Sequence, residues 1–126
     1  MVRCCGNHDN GQKDIELSVN DDFKIIYQFT DDRFNPPIMV PLMAFDLQID
    51  FYVKGHSATY TVTKSGLKGT NCIIDNKSSI VKCLMQNHNL GTGYLYAKIS
   101  IMLPDMDYPS GYRVEVSNTY TGIKLV

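Results

Sequence analysis

Residues 45–53, FDLQIDFYV, set Phe45, Leu47, Ile49, Phe51 and Val53 on one side of an extended chain and Asp46, Gln48, Asp50 and Tyr52 on the other. Side chains alternate in this way along a strand, so the period of two calls for a sheet covered on one face and wet on the other. Residues 94–103, YLYAKISIML, obey the same rule, with Leu95, Ala97, Ile99, Ile101 and Leu103 inward and Tyr94, Tyr96, Lys98 and Ser100 outward. No window has the 3.6-residue period of an amphipathic helix.

The remaining segments fit the same class. DIELSV (14–19) and FKIIYQF (23–29) flank Asn20-Asp21-Asp22, residues that tolerate the turns of a hairpin, and are expected to form a first β-hairpin. Three prolines, at 36, 37 and 41, fix φ and remove amide donors, which makes TDDRFNPPIMVPLMAF, residues 30–45, an extended connection. ATYTVT, CIID and SIVKCLMQ are short β-branched or aromatic runs closed by KGHS, SGLKGTN and Asn76-Lys77-Ser78, and YRVEV and TGIKLV end the chain. About eight or nine strands at intervals of roughly 8–12 residues predict an all-β, antiparallel β-sandwich or barrel-like fold.

At 126 residues the chain is read as one domain over 14–126, long enough to bury roughly two-thirds of its unfolded surface. Residues 1–13, MVRCCGNHDNGQK, have no hydrophobic rhythm and are expected to be a flexible arm, ordered by a partner if at all. Twelve basic and 13 acidic residues leave a net charge of −1, which gives no global field for nucleic acid or an anionic membrane. With no apolar signal region at the N-terminus, the expectation is a protein made in a cytosol. The four cysteines, 4, 5, 72 and 83, form no CxxC; Cys72 and Cys83 read as buried reduced thiols.

NHNLGTGYL, residues 87–95, offers His88 and a GxG formed by Gly91 and Gly93. A phosphate loop works by leading from a strand into a helix N-terminus, and here a strand follows, so turn chemistry is expected. His88 has no G-x-S-x-G elbow or recognised nucleophile to serve, and a ring bonded to the turn is the expectation. Cys4, Cys5 and His8 lack the second pair that structural zinc requires. Asp105 and Asp107, with Asp21, Asp22, Asp31 and Asp32, would form an oxygen-rich calcium site only if their loops converge; otherwise they are acidic turns. No enzyme activity, metal or cofactor is therefore predicted. Eight tyrosines could supply a sugar-stacking platform, which gives an alternative reading as a carbohydrate-binding β-sandwich for host or mucosal adhesion. In PPIMVPLMAF, the adaptable apolar side chains Ile38, Met39, Val40, Leu42 and Met43 sit where the chain cannot pair fully, which suits docking to a partner; a connector folded over one end of the sandwich explains them equally.

Taken in order, FDLQIDFYV with the Tyr/Thr-rich strand after it, GTNCIID, NHNLGTGYL, LPDMDYPSGYRVEV and TGIKLV resemble a domain of phages and prophages of the Bacteroidetes, including crAss-like phages. It is the particle-attaching, N-terminal part of fibre or baseplate-upper (BppU-like) proteins, and the resemblance covers about Asp14 to Val126. It implies an Ig-like/BppU-N-like sandwich in which His88, Leu90, Gly91 and Gly93 shape the start of a long strand. Tyr108, Pro109, Gly111 and Tyr112 would shape the turn before the next. It further implies a non-enzymatic virion structural protein, an adaptor, decoration or anchoring subunit of head fibre, capsid, collar or tail/baseplate. Its partners would be other phage structural proteins, in a homo-oligomer within the particle, with no nucleic acid and no membrane, after synthesis in the bacterial host cytoplasm. Members often continue into a fibre shaft, whereas this sequence stops at Val126, so an anchor without its fibre is expected.

Overall fold

The structure, a computed structural model, describes residues 14–31 and 33–126, together with the backbone of 2–5. It is nearly all-β and consists of two sheets that share one apolar core, a β-sandwich-like arrangement. In chain order the strands are β1 (Val2–Cys5), β2 (Ile15–Leu17), β3 (Phe23–Asp31), β4 (Ile38–Met39), β5 (Asp46–Val53) and β6 (Thr59–Ser65). They continue as β7 (Lys68–Thr70), β8 (Cys72–Asp75), β9 (Ile80–Met85), β10 (Gly93–Pro104) and β11 (Tyr112–Leu125). A 3₁₀ turn, Leu42–Ala44, precedes β5.

One sheet runs β1-β3-β9-β8 with β4 also on β3; the other runs β2-β11-β10-β5-β6-β7. The alternation read from the sequence sets their inner faces. Phe45, Leu47, Ile49, Phe51 and Val53 are all buried, as are Leu95, Ala97, Ile99 and Ile101. They meet Ile25, Tyr27 and Phe29 of β3 and Val81, Cys83 and Met85 of β9. Tyr27 stacks on Phe51 at 6.5 Å between centroids, and Phe29 lies 5.3 Å from Phe45. The Tyr60 hydroxyl donates to the Leu84 carbonyl at 2.6 Å, which bonds the two sheets directly.

Several expectations are corrected. The hairpin expected over 14–29 does not form. β2 lies in the six-stranded sheet, paired in parallel with β11 through Ile15–Ile123 and Leu17–Leu125, while β3 belongs to the other sheet. A period of two marks a strand's covered face but not its neighbour, and here Val19 N–H bonds the Val126 carbonyl before the chain crosses over. The sandwich is thus not purely antiparallel, and its strand segments number eleven among the described residues rather than eight or nine. The extra ones are short. SGLKGTN, expected as a turn, contains β7, and the proline connection contains the two-residue β4, bonded to Thr30 and Asp31 where β9 no longer reaches. YRVEV and TGIKLV, expected as two strands, are one strand, β11, paired with β10 along most of its length.

Of the expected arm, Val2–Cys5 pair antiparallel with β3, and residues 6–13 lie outside the described residues. So do the side chains of Cys4, Cys5 and His8, and with them the zinc question. No helix among the described residues is long and apolar enough to cross a membrane.

Candidate docking surface

The turn at 87–93 is built by backbone sign. Asn87, Asn89, Gly91 and Gly93 all have positive φ, at alternate positions, and asparagine and glycine are the residues that tolerate it. Between the first two, His88 turns inward and is buried; its Nδ1 accepts the Leu90 N–H at 3.2 Å, so the ring proton sits on Nε2. Nε2 has no hydrogen-bond partner among the described residues, and the ring is enclosed edge-on by Phe23 and Tyr60. Burial holds the His88 pKa below its ordinary value, with Asp22 opposing. At Gly93 (φ 135°) a Cβ would lie 2.7 Å from Val53 Cγ1, so the close passage of β10 over β5 requires glycine. His56 packs against Gly91 and donates Nε2–H to the Thr92 carbonyl at 3.1 Å. The turn is a packed joint, with Leu90 in the core.

Other chemistry-bearing side chains are held by local structure. Burial raises the pKa of the Cys72 and Cys83 thiols, opposite to the depression a nucleophilic cysteine needs. The Cys72 thiol donates to the Thr63 carbonyl at 3.4 Å. Asp105 accepts the Asp107 N–H, Asp21 accepts the Ser18 N–H, and Arg33 forks onto Asp31. No group of three or more His, Cys, Asp or Glu side chains suited to a metal occurs among the described residues, and Asp32 lies outside them.

Four of the eight tyrosines, Tyr52, Tyr94, Tyr96 and Tyr120, form a row on the outer face of the six-stranded sheet. Tyr52 and Tyr120 are the cross-strand partners of Tyr96 on either side. Tyr52 stacks on Tyr96 at 5.8 Å with an interplanar angle of 20°, and Tyr96 lies 5.2 Å from Tyr120. Rings that stack on one another spend their faces mutually, as cross-strand aromatic pairs do in stabilising a sheet. Tyr94 is the exposed member, with Lys124 Nζ 5.4 Å from its centroid.

The connector separates the five apolar candidates. Leu42 is not a surface residue: at 0% exposure it belongs to the core, and its N–H is bonded to Asn76 Oδ1. Val40 is half-buried, held by its N–H on the Phe29 carbonyl and its carbonyl on Ser79 Oγ. Ile38, Met39 and Met43 are exposed, Met43 at 61%. The 3₁₀ turn and the two-residue strand β4 thus point some apolar side chains in and hold others out.

What fixes this arrangement is Lys64, a residue the sequence reading did not select. It is 1% exposed, and its Nζ donates to the carbonyls of Leu42 (2.5 Å), Phe45 and Gly66 (3.1 Å) while lying 4.5 Å from the Phe45 ring centroid. Burial pushes the ammonium pKa down, opposed by Asp46 and Cys72. The signal was present in the alternation of Val62 and Lys64, which puts a lysine at a core position of β6. Three donors matched to three carbonyls resolve that conflict.

Met43 also borders a hollow of about 100 Å³, lined by Phe45, Asp46, Met102, Pro104 and Tyr112. The connector and the β10–β11 hairpin therefore meet at one end of the sandwich. In the hairpin turn, Asp105 N–H bonds Gly111 O at 2.9 Å and Gly111 N–H bonds Tyr108 O at 2.9 Å. Gly111 takes φ 80°, while Tyr108, Pro109 and Tyr112 are exposed beside the almost bare Met106. The structure thus brings Met43 to Tyr112, and leaves Ile38 and Met39 on β4, paired antiparallel with the end of β3. No protein-family model, curated protein or solved structure matches the chain.

Proposed function

We propose that the chain is a non-enzymatic structural protein of a phage particle, an adaptor, decoration or anchoring subunit that attaches through one end of a rigid β-sandwich. The observation that carries this reading is the connector: Ile38, Met39 and Met43 are held outward on a segment that Leu42 and Lys64 lock to the core. Exposed methionines adapt to a partner's contour, and a preorganised backbone lowers the ordering cost of binding. The motif resemblance supports the location, a virion assembled in a bacterial host, and the partners, other fibre, capsid, collar or tail subunits. An Ig-like, BppU-N-like form of the sandwich belongs to the same proposal.

Mass spectrometry of purified particles tests it; the protein is expected in stoichiometric amounts, and its absence would defeat the reading. Met39→Glu together with Met43→Glu is expected to leave the melting temperature nearly unchanged, since both side chains are exposed, while incorporation into particles falls. The tyrosine row gives the second reading, carbohydrate adhesion, its footing. Its stacked rings leave Tyr94 as the best-exposed face, and a glycan array without saturable binding would retire it.

A further inference from the structure

β11 is fourteen residues long, yet among the described residues β2 covers its outer edge only at Ile123–Leu125. From Tyr112 to Thr119 the one described strand paired with it is β10. In an antiparallel ladder, alternate residues bond the neighbour and the others turn their N–H and C=O away. The hairpin closes with Asp105 N–H on Gly111 O, which fixes the odd-numbered residues of β11 as those bonded to β10. The even-numbered ones therefore face outward. Tyr112 agrees: its N–H and C=O are both taken by the Ser110 hydroxyl, outside the ladder. The outward N–H and C=O of Val114 and Val116 have no partner among the described residues.

Unpaired edges are usually guarded by proline, short length or like charges that repel a second strand. This one carries no proline, exposes Val114 at 56% and Val116 at 53%, and places charges of opposite sign, Arg113 and Glu115, either side of Val114. We propose that two copies of the chain associate by antiparallel pairing of their β11 edges about a two-fold axis at Val114. In that register Val114 faces its own copy through a reciprocal pair of backbone bonds. Arg113 of one copy lies opposite Glu115 of the other, twice over. Tyr112 and Val116 then pair on the opposite face, an aromatic with a β-branched side chain.

Backbone bonding alone accepts any register that keeps outward residues opposite outward residues, and side-chain charge selects among these. An axis at residue 113 sets Arg113 against Arg113, an axis at 115 sets Glu115 against Glu115, and an axis at 116 leaves both charges without a mate. Among the described residues of one chain, Arg113 has long ion pairs, 3.8 Å to Asp105 and 3.8 Å to Glu115, and both side chains are partly exposed, so they are available to re-pair. The occupant is thus a second copy, because the strand is complementary to itself. The proposal stands on this edge alone and does not depend on a role in particles.

Sedimentation velocity over a concentration series tests it. The unaltered chain is expected to show a concentration-dependent dimer. Arg113→Glu and Glu115→Arg, each alone, place like charges opposite one another twice and are expected to raise the dimer dissociation constant roughly tenfold or more. The double variant R113E/E115R restores opposite charges and is expected to return dimerisation to near the original strength. Val114→Pro removes an outward N–H without breaking the β10 ladder, and is expected to abolish the dimer while the far-ultraviolet circular dichroism is kept. A chain that stays monomeric up to about 1 mM overturns the proposal. So does a dimer indifferent to the single reversals, or a double variant that melts normally yet pairs no better than the singles.

Discussion

Replacing Lys64 by Met keeps the length and apolar stem of the side chain and deletes the ammonium that holds three carbonyls. The Gly66 carbonyl sits in the surface turn between β6 and β7 and can be rehydrated, so the loss falls on Leu42 O and Phe45 O. A buried acceptor left without a partner costs about 1–3 kcal/mol, which gives roughly 2–6 kcal/mol for two. The depressed pKa of Lys64 reflects the opposing effect, since burying the ammonium is itself unfavourable and the substitution relieves that. We therefore expect the low end, about 2–3 kcal/mol, or a fall of roughly 6–12 °C in melting temperature for a domain of this size. Thermal denaturation followed by circular dichroism measures the stability. Limited proteolysis measures the location: cleavage between residues 33 and 44 should accelerate more than cleavage elsewhere, because Lys64 ties that segment to β6. A K64M protein that melts within about 0.5 kcal/mol of the original, with an unchanged cleavage pattern, would refute the claim that this ammonium organises the connector.

His88 gives a pH dependence of defined sign. Its folded pKa lies below the ordinary 6.5, so the unfolded chain takes up the proton more readily; stability is full above about pH 6.5 and falls as pH drops from there toward the folded pKa. Urea midpoints between pH 7.5 and 5, in steps of roughly half a unit, should trace this fall, and His88→Asn, which keeps an acceptor for the Leu90 N–H but does not titrate, should flatten it. Gly93→Ala should cost about 2–4 kcal/mol, because it combines a positive φ with a methyl group driven into Val53; Gly55→Ala, at φ 92° with open space around it, should cost only about 1–2 kcal/mol. Equal losses in a denaturant titration would show that backbone sign alone, and not the contact with Val53, decides Gly93.

Period and turn chemistry, both local properties, were legible before folding. The alternation in 45–53 and 94–103 named the residues that form the inner faces of β5 and β10, because a strand's geometry assigns alternate side chains to opposite sides whatever lies across from it. Asparagine and glycine in 87–93 announced a turn of positive φ, because few other residues tolerate one. Pairing is different. Ile15–Leu17 carries no mark that distinguishes a hairpin with β3 from a parallel seat beside β11, since any covered strand reads alike. Leu42 and Met43 are neighbours of similar hydrophobicity, and only the 3₁₀ turn at the mouth of the sandwich buries one and exposes the other.

What the chain's own order of residues determined, then, was the all-β class, the faces of its long strands and the places where it must bend, all consequences of φ, ψ and side-chain alternation within a few residues. Only the tertiary structure decided which strands are neighbours, that Lys64 serves as an internal tether, and that among the described residues β2 pairs with the outer edge of β11 only at Ile123–Leu125. Those outcomes depend on which of many equivalent strand pairings buries the most surface while bonding the most backbone, a competition between segments tens of residues apart that no local pattern encodes.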